Sequence, residues 1–357
     1  MNAPQTLPVH RDSWFAPLSI DLIIKVLRVT FFHPFLAWII PLCFRAQTMH
    51  WDAPPMLVAI AFASFVTFTF FAGVFNGNFA YGMPRHVDLS DEVIVVTGGA
   101  SGLGLLIAEV YGMRGASVAV LDVREMDNTE ARGVTYYKCD VSNLDDLARV
   151  SAEIERDLGT PSILINNAAV VLGKPLLELT NEQITRSLSV NLLAPFYAVK
   201  AFLPGMIASE NGGTIVNISS VLGHFGAANL TDYSAAKAGL SSFHRALAAE
   251  LRVSGHSAHV KTLLVEAGQL STPLFHGVQT PNSFLAPVVE PVDVCNGIVR
   301  AVDAGKSGHL AFPFYASYVD WFGVLPASFQ LLARKLAGVD TAMQTFVGRK
   351  ETEKPKL

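Results

Sequence analysis

Charged residues are scarce in this sequence. Only 16% of its 357 residues are Asp, Glu, Lys or Arg, against about 25% in a typical soluble protein. The shortage lies at the front, where residues 1–86 hold five Lys or Arg and three Asp or Glu. With 51% hydrophobic residues, this composition indicates a membrane-associated protein. The length excludes a single small domain and suits one large catalytic domain with attachments.

Basic runs and closely spaced cysteines are also missing. The formal net charge is -4 and no basic run in the body exceeds a pair. The sequence therefore lacks the basic patch of a nucleic-acid-binding protein, and we exclude nucleic acid as a partner. The three cysteines are odd in number and far apart, at Cys43, Cys139 and Cys295. None forms a CxxC pair or lies near a histidine at ligand spacing, so we expect neither a disulfide scaffold nor a metal site.

One uncharged stretch is long enough to cross a bilayer. Residues 53–84 carry no charge, and residues 56–75 are twenty mostly apolar positions, the length needed to span about 30 Å of hydrocarbon. We predict a transmembrane helix at 56–75, with a buried core helix as the alternative. A second uncharged stretch, 29–44, contains His33, Pro34 and Pro41. It either crosses kinked or dips into the bilayer and returns.

The flanking charges favour a membrane hairpin. If both stretches cross, four basic residues lie on one side, at Arg11, Lys25, Arg28 and Arg85, and only Arg45 lies in the connecting loop. The positive-inside rule then places the catalytic domain in the cytosol, whereas a single span would place it in the lumen. We predict the hairpin, with an anchor at 1–86, a catalytic domain at 87–305, and a C-terminal aromatic cap and charged tail at 306–357.

The remainder of the chain alternates short apolar runs with longer segments of helical period. This pattern predicts an α/β fold of the Rossmann type, a doubly wound parallel sheet covered by helices on both faces. Six strands are predicted, at 92–97, 117–122, 134–140, 162–166, 214–218 and 260–265. With the anchor, the fold class is a Rossmann-type α/β domain carrying N-terminal transmembrane helices.

A glycine-rich turn follows the first predicted strand. The segment from Thr97 to Gly104 lies between that strand and a helix, where glycines let backbone N–H groups approach a pyrophosphate. The second strand ends at Asp122. An acid there accepts hydrogen bonds from an adenosine ribose and repels a 2'-phosphate, which favours NAD over NADP. The alternative is that Asp122 only caps the next turn, and nearby Arg124 keeps NADP open.

Residues 91 to about 275 resemble the short-chain dehydrogenase/reductase family. The match rests on the turn at 97–104, the triplets at 139–141 and 166–168, Asn191, Ser220, and the Tyr233-x-x-x-Lys237 pair. The stretch 219–226, with 203–206 upstream, is similar to the membrane-bound retinol dehydrogenase and 17-beta-hydroxysteroid dehydrogenase-like branch, which acts on lipids. The resemblance implies a nicotinamide-dependent oxidoreductase.

The resemblance also implies a catalytic set made of Asn191, Ser220, Tyr233 and Lys237. Tyr233 and Lys237 share one face of a helix because they are one turn apart. A cation about 4 Å away is worth at most about three pKa units, so we expect Lys237 and the nicotinamide charge to bring the phenol pKa towards neutrality. Ser220 is expected to hold the substrate oxygen, and Asn191 to hold a water of the proton relay.

By the same resemblance, the cofactor contacts fall along the carboxyl ends of the strands. They are Gly98, Ser101, Gly102, Leu103, Gly104, Asp122, Asp140, Val141, Asn167, Ala168, Tyr233, Lys237, Leu270 and Thr272. Two positions depart from the family pattern, since Ala169 replaces its usual glycine and Ala267 its usual proline. We expect a β-carbon at 169 to crowd the turn and the missing proline to loosen the following loop, affecting cofactor affinity rather than the reaction class.

Three histidines and a C-terminal group of aromatic residues are further candidates for a functional role. His224, His244 and His256 have no carboxylate or cysteine at a helpful spacing, so we interpret them as structural or surface residues. Aromatic side chains crowd one later stretch, at Phe312, Phe314, Tyr315, Tyr318, Trp321 and Phe322. They form either a cap that closes the core or a lipid-facing lid over the substrate cleft.

These observations lead to one main functional hypothesis. The chain is expected to be an NAD-dependent dehydrogenase of a lipophilic hydroxyl compound such as a retinoid, steroid, long-chain alcohol or terpenoid. Its expected partners are that substrate and membrane lipid, at the endoplasmic reticulum or a lipid droplet, with the catalytic domain cytosolic and a homodimer left open. An NADPH-dependent lipid carbonyl reductase and a non-enzymatic lipid-droplet scaffold are the alternatives.

Overall fold

The computed structural model describes residues 18–278 and 282–348, which divide into two compact units. The anchor unit contains the described residues up to Asn76 together with Asn282–Pro287. The catalytic unit contains the described residues from Gly77 onward, apart from that six-residue segment. The chain therefore passes between the units three times.

Three helices make up most of the anchor. They are α1 (Ile20–Val29), α2 (Pro34–Ala46) and α3 (Pro54–Tyr81), the last of which continues into the catalytic unit. Helix α1 is amphipathic and its N-terminus is capped by the Ser19 side chain, which accepts a hydrogen bond from the Leu22 N–H. Its backbone also holds the returning segment, because the Ile20 N–H donates to the Phe284 carbonyl at 3.0 Å.

Helix α3 is long and apolar enough to cross a membrane and contains the whole predicted span 56–75. The stretch 29–44 is instead divided between α1 and α2, which are bent by 59° at their break. Helix α2 packs on α3 through Ala37, Ala63 and Val66, small side chains that let two helices approach closely. The Trp38 indole N–H donates to Thr67 Oγ1 at 3.0 Å. The two helices thus form a packed pair, as a hairpin requires.

The catalytic unit is built on seven parallel strands in the order β3-β2-β1-β4-β5-β6-β7. Their bounds are β1 Val93–Thr97, β2 Ser117–Asp122, β3 Val134–Lys138, β4 Ile163–Asn166, β5 Gly213–Ser220, β6 Val260–Ala267 and β7 Gly308–Phe312. The sequence Val-Ile-Val-Val-Thr of β1 is buried at all five positions. Central strands of a parallel sheet need such apolar runs because helices cover both faces.

Strand β7 was not among the six predicted strands. It pairs with β6, with Leu263 opposite Gly308 and Ala267 opposite Phe312, so the sheet continues into the segment 306–357 that the sequence assigned to a separate cap. It is short, lies at the sheet edge, and its residues are exposed or only half-buried. It therefore lacks the apolar run that marks the interior strands.

Helices cover the two faces of the sheet. They are α4 (Gly102–Met113), α5 (Leu144–Asp157), α6 (Asn181–Leu188), α7 (Ala194–Ala208), α8 (Leu222–Phe225), α9 (Thr231–Val253), α10 (Pro291–Asp303), α11 (Val319–Phe322) and α12 (Ala327–Ala337). Helices α4 and α10 contribute to one core cluster, and α5, α7 and α9 to the other. The helical segment Asn181–Ala208 is also long and apolar enough for a span, but its buried side chains belong to the second cluster.

A buried ion pair lies where the chain enters the sheet. The Arg85 guanidinium donates to both carboxylate oxygens of Glu92, at 2.8 and 3.0 Å, and to Thr214 Oγ1 at 2.9 Å. Ser162 also donates to Glu92. These bonds fix the segment before β1 to β5, and they lie at the end of the sheet opposite the strand termini that form the candidate site.

Candidate active site

The strand order reverses between β1 and β4, and the carboxyl ends of these strands carry the predicted cofactor residues. Open α/β sheets bind ligands at such a switch point. Gly98 follows β1 with a φ of +65°, and a Cβ there would lie 2.6 Å from the Ala168 Cα. A Cβ on Gly104 would lie 2.5 Å from Asn167 Nδ2. These two glycines are therefore required by the close packing of the turn against the segment after β4.

The Asn167 side chain is the link between these two segments. Its Nδ2 donates to the Thr97 and Gly98 carbonyls, each at 3.0 Å, while the Asn167 and Ala168 N–H groups donate to Thr97 Oγ1 at 3.0 and 3.1 Å. Asn167 and Ala168 thus hold the glycine-rich turn in place through hydrogen bonds to Thr97 and Gly98. In the described ranges, Thr48 and Asn229 are the only non-glycine residues with positive φ. Ala169 therefore meets no left-handed strain, and its expected effect on cofactor affinity stays a prediction.

The N-terminus of α4 faces an open position suited to a pyrophosphate. Gly102 has a φ of +59°, and the nearest atom to a Cβ placed on it is Thr272 Cγ2 at 3.8 Å. Thr272 thus lies beside the turn, as expected, and Ser101 is the N-cap residue of α4. The Leu103 side chain is buried in the core and Leu270 is nearly so. The N–H groups of a helix N-terminus bind anions, so this turn fits a dinucleotide.

Asp122 lies at the end of β2, where a ribose-binding acid is expected. Its Oδ2 accepts a hydrogen bond from the Ala100 N–H at 3.2 Å and its Oδ1 accepts one from the Arg124 N–H at 3.1 Å. The carboxylate therefore does cap the next turn, as the alternative interpretation held, and it also holds the glycine turn. Beyond β3, Asp140 is exposed and bonds to Ser142, whereas Val141 packs in the core.

Three members of the predicted catalytic set come together at the end of β5. Tyr233 and Lys237 share the buried face of α9, and Lys237 Nζ lies 5.6 Å from the Tyr233 ring centroid. The Tyr233 phenol hydrogen-bonds Ser220. Ser220 Oγ donates to the Ala267 carbonyl at 3.1 Å, and Lys237 Nζ donates to the Ile218 carbonyl at 2.8 Å.

Burial controls the acidity of these groups in the protein alone. It raises the pKa of Tyr233 well above its ordinary value, although the hydrogen bond with Ser220 acts in the lowering direction. Burial also lowers the pKa of Lys237 to about 8. Without the nicotinamide charge, desolvation of the buried phenol outweighs its hydrogen bond. The expected fall of the phenol pKa under the combined charges of Lys237 and the nicotinamide stays a prediction.

Asn191 lies in the π-helical turn Ser189–Leu193 between α6 and α7, which packs against α9. Its Oδ1 accepts from the Val170 N–H at 3.0 Å, and its Nδ2 donates to the Val170 carbonyl at 2.8 Å and to Ser187 Oγ at 3.3 Å. In this structure the side chain clamps the backbone beyond Ala169. Its predicted part in a proton relay stays a prediction.

Apolar side chains from several segments pack around Tyr233. The Phe275 and Tyr233 rings pack edge to face, with 6.2 Å between their centroids. The other members of this group, here called the Tyr233 cluster, are Val171, Leu222, Ala227, Leu230, Val278, Met343 and Phe346. Sequence reasoning missed all of them, because they come from distant segments and belong to no motif.

A second group that the sequence did not reveal is polar. Glu266 is fully buried on β6 and accepts hydrogen bonds from His224, Ser241 and His309. His224 was expected to have no carboxylate partner and has two, Glu266 and Asp320. Across the described ranges, no group of three or more His, Cys, Asp or Glu side chains is placed to hold a metal ion.

Comparison with known proteins agrees with this geometry. The sequence model of the family described as short chain dehydrogenase matches residues 92–282. An uncharacterized oxidoreductase of Saccharomyces cerevisiae is 32% identical over 257 residues, which are 70% of this chain and 83% of that protein. Human epidermal retinol dehydrogenase 2 is 32% identical over 276 residues, 74% of this chain and 88% of the relative. Human retinol dehydrogenase 10 is 28% identical over 304 residues, covering 75% and 88%.

A solved structure shows the same fold. A short-chain dehydrogenase from Streptomyces avermitilis has a TM-score of 0.57 at 24% identity, covering 71% of this chain and 98% of its own. The family match itself extends over more than half of the present sequence, and the relatives named above are oxidoreductases aligned over most of their length. This chain is therefore a member of the short-chain dehydrogenase/reductase family, an oxidoreductase that works with a nicotinamide cofactor.

Proposed function

We propose that this protein oxidises the hydroxyl group of a lipophilic alcohol with NAD. The observation that carries the proposal is the Tyr233 cluster, since the phenol expected to exchange the substrate proton lies among apolar side chains. Small-molecule sites gain affinity from such walls and orientation from a few polar groups. Here Ser220 and Tyr233 are the polar groups, so a substrate with one hydroxyl on a long apolar body is the best match.

The residues of the chain divide the chemical work. The nicotinamide, when bound, supplies the hydride acceptor. Ser220 Oγ holds the substrate oxygen, and Tyr233 Oη takes the hydroxyl proton as the carbonyl forms. Lys237, one turn along α9, stabilises the phenolate with its charge. The open position at Gly102 and the N-terminus of α4 would hold the pyrophosphate of the dinucleotide.

The preference for NAD rests on Asp122. Its carboxylate is nearly buried and held by two backbone N–H groups, in the place where a 2'-phosphate would approach. The second candidate, an NADPH-dependent carbonyl reductase, is favoured by the position of Arg124. Its Nε lies 4.0 Å from Asp122 Oδ1, so a positive charge is also present where a 2'-phosphate would approach. The Arg124 side chain is about half exposed, so solvent screening weakens its attraction for a phosphate.

The proposed site of action is a membrane, with the endoplasmic reticulum or a lipid droplet as the expected compartment. Helix α3 supports a true span, the packed α2 and α3 pair supports the hairpin, and amphipathic α1 suits the bilayer surface. Both ends of the chain then lie in the cytosol. The names of the two retinol dehydrogenases, at 28–32% identity, support a lipid substrate of the retinoid type without deciding among lipophilic alcohols.

The C-terminal aromatic stretch has two parts, one that closes the core and one that we assign to contact with lipid. Ala316 and Val319 are buried against Val221, which is the core-closing part. Beyond them, the large apolar side chains of α11, α12 and their connection are exposed, at Trp321, Val324, Leu325, Phe329, Leu331, Leu332 and Leu336. We assign this second part to contact with lipid, because contiguous exposed apolar surface marks a membrane or protein interaction site.

The experiment that tests the function is an alcohol panel with the detergent-solubilised full chain. With NAD, retinol, geranylgeraniol, a sterol and a sixteen-carbon alcohol are compared with ethanol. We expect kcat/KM for at least one lipophilic alcohol to exceed that for ethanol by about a thousandfold, since each added methylene in a pocket is worth about tenfold or more. Equal rates, or turnover confined to short polar alcohols, would reject the proposal.

A pair of variants connects the panel to the site. Phe275→Ala should raise KM for the preferred alcohol about tenfold by removing one wall of the Tyr233 cluster, and should leave NADH affinity unchanged. Val253→Ala, on the exposed end of α9, is the matched control and should change neither. No turnover with any alcohol and either nucleotide, despite nucleotide binding, would favour the scaffold alternative.

A further inference from the structure

Glu266 is a fully buried carboxylate that the proposed reaction does not use. It lies on β6 next to Ala267, whose carbonyl receives the Ser220 hydroxyl. Three donors from three elements reach it, namely His224 Nε2 at 2.8 Å, Ser241 Oγ at 2.7 Å and His309 Nε2 at 3.0 Å. A buried charge is tolerated only when it is paired and hydrogen-bonded. Glu266 meets this condition through hydrogen bonds from three separate elements.

On one side, the carboxylate reaches the backbone of the catalytic lysine. Ser241 donates to Glu266, and its Oγ lies 2.8 Å from Ser219 Oγ. Ser219 Oγ in turn lies 3.0 Å from the Lys237 carbonyl oxygen. Ser219 directly precedes Ser220 and is the register partner of Glu266 across β5 and β6. The chain of hydroxyl groups thus connects the carboxylate to both Ser220 and α9.

On the other side, the carboxylate reaches the loop that follows Ser220. His224 belongs to α8, and its Nδ1 lies 2.8 Å from Asp320 Oδ1 on α11. Both ring nitrogens therefore face a carboxylate, and the hydrogen bond to Glu266, the largest cause, raises the pKa of His224. The pKa of Glu266 is lowered, because its three hydrogen bonds outweigh the opposing effect of burial. Both shifts favour the charged forms of the pair, imidazolium and carboxylate.

We propose that Glu266 is a positioning residue for the active site. Through His224 it holds residues 221–226, and through Ser241 and Ser219 it holds the turn of α9 that carries Lys237. These two connections together fix the Ser220 hydroxyl relative to the Tyr233 phenol. Asp320 extends the same connection to α11. The proposal rests on the proposed catalytic roles of Ser220 and Tyr233, but the connection itself is measurable without a substrate.

The test compares two buried carboxylates at opposite ends of the sheet, in the full chain. Glu266→Gln keeps the shape and removes the charge, and Glu92→Gln is the matched control, since Glu92 is also buried and ion-paired. We expect Glu266→Gln to lower kcat at least tenfold, with KM and the NADH dissociation constant within twofold of the parent. Glu92→Gln should leave all three within twofold, even where it lowers thermal stability.

Hydrogen exchange provides the readout that needs no substrate. The His224 and Gly226 N–H groups donate to the Val221 and Leu222 carbonyls at 3.0 and 2.9 Å. Both amides should exchange at least tenfold faster in Glu266→Gln, and no faster in Glu92→Gln. His224→Gln should reproduce both effects, and the double variant should be no worse than either single one, because both changes remove the same ion pair.

The outcomes separate the two proposals. If the parent oxidises no alcohol, the proposed function fails while hydrogen exchange still decides the role of Glu266. If Glu266→Gln matches Glu92→Gln in loop exchange and in kcat, the positioning role is overturned. If Glu266→Gln does not fold, His224→Gln, which keeps two of the three donors, decides by the same measurements. A purely structural role would lower stability and leave kcat of the folded protein unchanged.

Discussion

Replacing Lys237 by methionine should make the protein more stable while it abolishes activity. The lysine is almost completely buried, and burial lowers its pKa from 10.5 to about 8. At pH 7 the folded protein therefore carries a charge that its surroundings disfavour. Methionine has a similar length and no charge, so it removes that penalty.

The size of the effect follows from the change in pKa. At 1.36 kcal/mol for each pKa unit, the fall corresponds to about 3.4 kcal/mol at neutral pH. The variant loses the bond from Nζ to the Ile218 carbonyl, which is worth about 1 kcal/mol. The net gain is about 2 kcal/mol, or a rise in Tm of about 4–8 °C for a domain of this size.

The assay is thermal unfolding of the detergent-solubilised protein without nucleotide, at several pH values. Between pH 8 and 10.5 the unfolded chain binds the proton that the folded lysine has lost, so the stability of the parent should rise with pH relative to Lys237→Met. Exposed Lys200, changed to Met, is the control and should stay within about 0.5 kcal/mol. A Lys237→Met protein no more stable than the parent at pH 7 would refute the reasoning.

Three further predictions address catalysis, cofactor and membrane. Tyr233→Phe should lower turnover by two or more orders of magnitude, the usual loss for a general acid/base, and NADH titration should show binding intact; normal turnover would disprove the assignment. Asp122→Ala should shift preference from NADH towards NADPH, and a parent that already binds NADPH tenfold more tightly, about 1.4 kcal/mol, would contradict it. Alkaline carbonate should leave the full chain in the membrane pellet because of α3, and terminal tags protected differently from protease in microsomes would exclude the hairpin.

The interior strands were predictable because their chemistry is local. Strand β2 has the predicted bounds, 117–122, and β1 and β6 begin within one residue of the predicted positions. Strand β7 escaped because an edge strand with half-buried residues needs no apolar run. Its place is decided by pairing with β6, a contact between distant parts of the chain.

The same distinction separates the site residues. Tyr233 and Lys237 were predictable because one helical turn brings them together, and the glycine turn because its conformation excludes side chains. Glu266 was not, since its histidine partners are 42 and 43 residues away on two other elements. The raised pKa of Tyr233 in the protein without nucleotide was not predictable either, because it comes from burial, which a sequence does not reveal.

The six residues Asn282–Pro287 give the anchor a role beyond attachment. They belong to the anchor unit, yet they are inserted between Leu270 and Thr272 on one side and α10 on the other. A truncation that removes α1 would take away the Ile20 N–H that donates to the Phe284 carbonyl. The segment would keep its internal bonds from Phe284 and Leu285 to Asn282 but would gain conformational entropy. Removing α1 is therefore expected to change the order of a segment that lies within the sequence of the catalytic domain, and a chain without it would differ from the full chain in more than its attachment.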